Sequence, residues 1–305
     1  MAMLSDQGSE LAMVFGQAAG AMSIQFPERG KGPQPGASRP PSLCLRSAGY
    51  CILPSAFCLL FAAFCLLPSA AGQDRSGPPA QIDPKAQELL DRTVQALGGP
   101  AFLGAKSLTT RGRIFAIADG AAAGFAPFQS TVEYPEKRRF SYGKDKSVIL
   151  VNNGERGWQL DRYGMIRQPP DQTRRWRMAN RYSLENLLRR VIHEPGLLIQ
   201  DGGVDFVDDL SVRVVDIVDA QQVQLRLHLD KAKFLPVRIA YRVQNQETGD
   251  WDEFADVYSD YRKFQEIQTP MHITRFLNGE RFSEVFRNAA EYNASYPANL
   301  FEPVR

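Results

Sequence analysis

The octet Gln222–Leu229 (QVQLRLHL) alternates without a break: Val223, Leu225, Leu227 and Leu229 take every second place among Gln222, Gln224, Arg226 and His228. In an extended chain successive side chains point to opposite faces. This stretch is therefore a strand with one dry and one wet face, and it places His228 on the solvent side. A strand of this kind needs neighbours, and the chain supplies them. Ser107–Ala118, Phe128–Tyr134, Arg138–Tyr142, Ser147–Asn152 and Gly157–Tyr163 are short and rich in β-branched or aromatic residues. Val212–Val218, Leu235–Val243, Phe254–Phe264, Met271–Leu277 and Arg281–Tyr292 continue the series, with turn signals such as Asn152-Asn153-Gly154 between strands. A spacing on the order of ten residues with hairpin-like turns indicates one large antiparallel sheet and not βαβ units.

Two helical patterns interrupt the strands. Asp83–Gly98 has a capping Asp83, a first-turn Pro84 and a Gly98-Gly99-Pro100 stop, with Ala86, Leu89, Leu90, Val94 and Leu97 on one stripe. From Asp171 to His193, Ser183 caps a run that carries Leu184, Leu187, Leu188, Val191 and Ile192 on one face, and Glu194-Pro195-Gly196 ends it. The fold class expected is α+β: a large curved antiparallel sheet, an incomplete β-barrel, covered by an N-terminal helix and a mid-chain helical insertion.

One block stands apart from these periodicities. No charged residue occurs from Ser47 to Gln73, between Arg46 and Asp74. A basic flank, an apolar centre and the small-residue exit Ser69-Ala70-Ala71-Gly72 form the pattern of a secretory signal, cleaved near Ala71 or Gly72. The block is also long enough to span a bilayer, so an inner-membrane anchor at 50–71 is the alternative. Residues 1–46 include the Pro/Gly/Ser-rich string Gly30–Ser42 and read as a disordered leader, or as sequence upstream of the true start. The expected organisation is leader 1–46, signal 47–72, short linker 73–80 and a single domain 81–305. All four cysteines (Cys44, Cys51, Cys58, Cys65) precede that domain, which must build its core without disulfides. The first 72 residues hold four of the 36 basic and three of the 34 acidic residues, so the remainder is nearly neutral and lacks the charge that nucleic acid demands.

Signatures of chemistry are missing from the chain. His193, His228 and His272 are the only histidines; no HExxH, GxSxG, Walker loop or strand-to-helix GxGxxG occurs. Asp208-Asp209 reads as a turn, and Asp256 with Asp260 as carboxylates that could share a strand face. No catalytic residue, metal ligand or cofactor is assigned. The aromatic excess on the strands is more informative: it makes either an ordinary core or a half-barrel with more apolar surface than its helices can fill. In the second case the cavity candidates are Phe115, Phe140, Trp158, Leu225, Leu227, Phe254, Tyr258 and Phe276. If the first helix covers Leu225 and Leu227, the cavity lies towards Phe254, Tyr258 and Phe276. The insertion Thr173–Arg190 carries six arginines with Trp176, Met178 and Tyr182. Arg174, Arg175, Trp176 and Arg177 are its candidates for contact with a membrane or partner, against the plainer reading of a solvated helix face.

Three stretches carry a family resemblance: the entry helix with its Gly-Gly end (Glu88–Arg113), the strand–turn–strand LDKAKFLPVRIAY (Leu229–Tyr241), and VYSDYRKFQEIQTPMHITRFLNGERF (Val257–Phe282). Across 81–303 the chain resembles the LolA/LolB-like, outer-membrane lipoprotein-sorting protein-like family. The resemblance implies an incomplete β-barrel closed by helices around a hydrophobic cavity for acyl chains. The expected ligand is accordingly a lipid or acylated protein; the apolar block adds a periplasmic or secreted location, the basic insertion a transient contact with an anionic membrane or envelope partner, and the expected state is a monomer. Gln265-Glu266 stands where a glycine is often found, and no lipidated Cys opens the mature chain. A non-catalytic envelope interaction module, or an accessory to an exported enzyme, is the alternative.

Overall fold

A computed structural model describes residues 79–245 and 248–303. The apolar block, the leader, the four cysteines and most of the expected linker lie outside the described residues.

The elements are β1 (Gln81–Ile82), α1 (Pro84–Leu97), α2 (Pro100–Gly104), β2 (Ser107–Ala118), β3 (Ala121–Glu133), β4 (Lys137–Tyr142), β5 (Val148–Asn153), β6 (Arg156–Asp161) and β7 (Gly164–Arg167). The insertion follows as α3 (Pro170–Arg181), α4 (Leu184–Arg189) and a 3-10 turn (Val191–His193). Then come β8 (Leu198–Val207), β9 (Leu210–Val218), β10 (Gln224–Asp230), β11 (Pro236–Gln244), β12 (Trp251–Phe264), β13 (Ile267–Leu277) and β14 (Glu280–Tyr292).

All fourteen strands join one sheet in the order β1-β8-β9-β10-β11-β12-β13-β14-β2-β3-β4-β5-β6-β7. Two meanders, β2–β7 and β8–β14, are fused where β14 pairs with β2, from Ser283 opposite Ala116 to Tyr292 opposite Leu108. Every pairing is antiparallel except β1 with β8. β1 and β7 are the two ends of the order, so the sheet curves without closing. The curvature has local causes: the register slips at Ala116/Ile117, Asp201/Gly203, His228/Leu229, Arg275/Phe276 and Arg287/Ala289, and such bulges bend a strand and increase its twist. At the fusion of the meanders β2 and β14 approach so closely that a Cβ on Gly112 would lie 1.9 Å from the Phe286 carbonyl oxygen.

Turn chemistry fixes the hairpins. Asp119-Gly120 and Asn278-Gly279 both hold left-handed φ at each position, the geometry whose twist matches the flanking strands. Gln265-Glu266 does the same with φ of 47° and 69° although neither is glycine. The Gln265 amide offsets this conformation by bonding both ways to Tyr292, accepting from its N–H at 2.6 Å and donating to its carbonyl at 3.1 Å.

Helix α1 begins as its sequence dictates. The Asp83 carboxylate accepts from the N–H groups of Lys85 (2.7 Å) and Ala86 (3.3 Å), and Pro84 fills the first turn. Ala86, Leu89, Leu90 and Leu97 are buried in the same cluster as Leu225, Leu227 and Leu229 of β10. Each such leucine contributes roughly 1.5–3 kcal/mol, an upper figure for a fully exposed reference. Val94 packs half-buried against the same cluster, and Thr93 adds to the buried face, its hydroxyl donating to the Leu89 carbonyl. Gly98 ends the helix at φ 127°, against the Glu266 carbonyl of the β12–β13 turn.

The structure departs from the sequence reading in several places. β7 and β8 are additional strands; β8 carries Gly202-Gly203 and two aspartates, so its extended form is imposed by pairing with β9 and not by propensity. β3 starts at Ala121, in a small-residue run that carries no strand signal of its own. His228 is 3% exposed, not solvent-facing. Its cross-strand partners Val214 and Arg238 flank it, the Asp205 carboxylate lies 3.9 Å away, and burial pushes the imidazole pKa down.

Candidate functional site

Inward-pointing residues of β11 to β14 and β2 to β4 line up across the sheet into one floor. Tyr241 faces Phe254, and their rings stack at 5.4 Å. Ile239 faces Asp256, which faces Arg275. Ile273 faces Val285, which faces Ile114. Ser130 faces Phe140, and Val132 faces Arg138. The insertion roofs this floor with Trp176, Ala179 and Tyr182, and Glu185 of α4 joins the rim. The helices leave the space between unfilled: a groove of about 170 Å³ remains.

The groove is apolar along its walls but charged at one place. Arg138, Arg275 and Arg287, from three different strands, line it together with Asp256 and Glu185. The Arg138 guanidinium lies over the Phe140 ring, 4.6 Å from its centroid. Burial, then repulsion from Arg275 and Arg287, pushes its pKa down to about 9. Arg275 approaches Asp256 at 3.7 Å. Burial nevertheless raises the Asp256 pKa, an effect that Arg275 and Arg287 only partly offset. Arg287 donates from one terminal nitrogen to the Pro270 carbonyl at 3.1 Å, while its buried Nε has no hydrogen-bond partner. Burial likewise drives the phenols of Tyr134, Tyr258 and Tyr261 well above their ordinary range, so all three stay neutral.

Polar bonds from residues Asn180 to Arg189 fasten the roof on two sides. Arg181 grips Glu194 through two bonds of 2.9 and 2.5 Å and reaches Asp219 at 3.3 Å. Asp219, with no exposure, also accepts from the Tyr182 hydroxyl at 2.7 Å and from the N–H groups of Gln221 and Val223. On the side of the β3–β4 turn Asn180 and Asn186 donate to the Pro135 carbonyl at 2.7 and 3.0 Å. Arg189 donates to the carbonyls of Ala105 and Phe102 and lies over the rings of Phe102 and Tyr134.

Of the cavity candidates, Phe140, Phe254, Tyr258 and Phe276 line the groove. Leu225 and Leu227 do not; they are 3% and 0% exposed in the core shared with α1, the case in which the space shifts towards Phe254, Tyr258 and Phe276. Phe115 contacts the rings of Phe125 and Phe286, both exposed, in an aromatic cluster outside the groove. Trp158 is half-buried beside Arg156, away from the groove, because β6 lies two strands beyond β4. The basic candidates divide as well. Trp176 is 3% exposed and belongs to the roof, whereas Arg174 and Arg177 face solvent, Arg177 near Glu155 at 3.2 Å. Arg175 pairs with Asp171.

The carboxylates Asp256 and Asp260 do not share a face. Asp260 sits at a left-handed φ of 52°, where the ladder with β13 skips one pair without changing register, and it pairs with Arg262 at 2.9 Å on the surface. Asp208-Asp209 is the β8–β9 turn. Among the described residues no cluster of His, Cys, Asp or Glu could hold a metal ion, and no helix is long and apolar enough to cross a membrane. Reading the sequence for aromatics passed over Arg138, Arg275 and Arg287. The signal that places them was present: each is two residues from an inward apolar side chain (Phe140, Ile273, Val285) and so shares its face.

Comparison with solved structures returns several matches. A protein of Vibrio parahaemolyticus described as an outer membrane lipoprotein-sorting protein domain matches over 71% of this chain and 97% of its own, at 9% identity and a TM-score of 0.46. A LolA superfamily protein of Nitrosomonas europaea matches over 72% and 97%, at 14% identity and a TM-score of 0.46. A DUF1329 family protein of Desulfovibrio piger matches over 71% and 97%, at 9% identity and a TM-score of 0.49. The family that the sequence resembles is thus named among these structures. No family model and no curated protein matches the chain.

Proposed function

We propose that residues 81–305 form an exported carrier that holds an acyl chain, or another apolar ligand, in the groove beneath the helical insertion. The observation that carries this reading is the groove itself: an apolar-walled space at the centre of the sheet that the covering helices do not fill. A solid sandwich would leave no such void, because interiors pack to the density of organic crystals. Its size bears on how loading works. Ligand pockets usually span about 300–1,000 Å³, so about 170 Å³ is a closed form that an acyl chain enters only as α3 moves aside. The bonds that Asn180, Arg181, Tyr182, Asn186 and Arg189 make to the surrounding elements would then set the energy of opening. Export rests on the apolar block before residue 73, and the resemblance to LolA/LolB-like proteins agrees with both parts of the proposal.

Native mass spectrometry of the protein recovered from its host envelope tests it. A co-purifying lipid, on a soluble chain that begins between Ala71 and Asp74, is the expected result. A ligand-free protein that fails to bind any acyl probe would refute the carrier reading in favour of an envelope interaction module. Retention in membranes with the apolar block attached would refute cleavage.

A further inference from the structure

We infer that the ligand bears an anionic head group, seated among Arg138, Arg275 and Arg287 with its chain along the apolar wall formed by Ile114, Ile273 and Val285. This rests on the groove being the ligand site. Three guanidiniums from three strands converge there against two carboxylates, Asp256 and Glu185, so the groove carries an excess of positive charge. Holding like charges together inside a protein is costly, and each has a cheap apolar replacement wherever the cargo is neutral. The positions are also built. Phe140 supports Arg138 from below, and Pro270 orients Arg287 through its carbonyl, leaving the buried Nε–H of Arg287 unpartnered. A guanidinium offers a planar fork that matches a carboxylate or a phosphate, the head-group chemistry shared by fatty acids and by phospholipid fragments. An anion would satisfy the orphaned donor and neutralise the excess charge at once.

The test compares head groups on one chain length. The delipidated, fully processed protein is loaded with the uncharged fluorophore N-phenyl-1-naphthylamine and titrated with decanoate, decyl phosphate, 1-decanol and decylamine. At least one anion is expected to displace the probe about tenfold more tightly than decanol, as a charge-assisted bond in a dry site allows. The tighter of the two identifies the head group as carboxylate or phosphate. Arg138→Met and Arg287→Met should bring that anion close to decanol measured on the same variant, and Asp256→Asn should strengthen the anion. Equal displacement by decanol and both anions, or tighter displacement by decylamine, overturns the inference and leaves the carrier reading standing. Failure of every ligand to displace the probe, or of the probe to bind, overturns both. Because the head-group series on the unaltered protein decides the matter, a variant that fails to fold does not weaken the test.

Discussion

The contrast between core and groove can be measured with one substitution in each. Leu227 has no exposure, and its cross-strand neighbours Val215 and Ile239 are 0% and 2% exposed. An indole at that position has nowhere to go, and overpacking of a filled core costs about 1–3 kcal/mol or more. With a urea m-value near 3 kcal/mol/M, Leu227→Trp lowers the unfolding midpoint by about 0.3–1 M. Val132 is different: it is half-buried, faces Arg138 and lines the groove. An apolar cavity of about 150 Å³ accepts a benzene ring, so a groove of about 170 Å³ can take an indole in place of a ligand. Val132→Trp should therefore stay within about 1 kcal/mol of the parent, since volume-tolerant changes cost little, yet abolish binding of an acyl-chain fluorophore. Urea denaturation and fluorophore titration on both variants give the answer. Equal destabilisation of the two, or unaltered ligand binding by Val132→Trp, would show that the groove is not the site.

Other consequences follow from single residues. Tyr182→Phe removes one hydrogen bond to the buried Asp219 carboxylate, which should cost about 1.5–3 kcal/mol, or several degrees of Tm by calorimetry at about 2–4 °C per kcal/mol. The looser roof should also accelerate loading in stopped-flow mixing, and unchanged rates would separate α3 from the entry path. Gly112→Ala places a methyl 1.9 Å from the Phe286 carbonyl oxygen, so the β2–β14 ladder must part; loss of soluble folded protein is expected, and wild-type stability would contradict the close approach. Glu133 accepts from Lys137 and from Tyr296, each at 2.6 Å, and these bonds hold its pKa below the ordinary 4.5. A carboxyl with a lowered folded pKa contributes stability above its unfolded pKa and loses it as pH falls through the folded value. The segment around Tyr296 should accordingly loosen below about pH 4.5, and Glu133→Gln should flatten that acid limb in hydrogen exchange.

Much of this architecture is legible in the residues alone, and the illegible parts have physical reasons. The β10 alternation, the Asp83 cap and the Asn-Gly and Asp-Gly turns are local signals, written within a few residues; the structure realises the cap and the turns, and it realises the alternation as far as Leu227 but buries His228. β8 is not local: Asp201, Gly202 and Gly203 argue against a strand, and only the ladder with β9 makes one. The left-handed φ of 52° at Asp260 is equally silent in sequence, yet it interrupts the ladder there, and Asp260 lies on the surface with Arg262 while Asp256 lines the groove. The groove arginines show where the alternation rule misleads. It assigns charged residues to the wet face because burying a charge costs free energy, and on that rule Arg138 and Arg287 belong outside. They stand on the dry face instead, in phase with Phe140 and Val285. Local rules that point consistently to one fold tend to fail at functional sites, where a folding cost is retained for another purpose. An arginine in phase with the core is then a stronger pointer to a binding site than the aromatics around it, since an aromatic lowers the free energy of a core and a buried guanidinium there raises it.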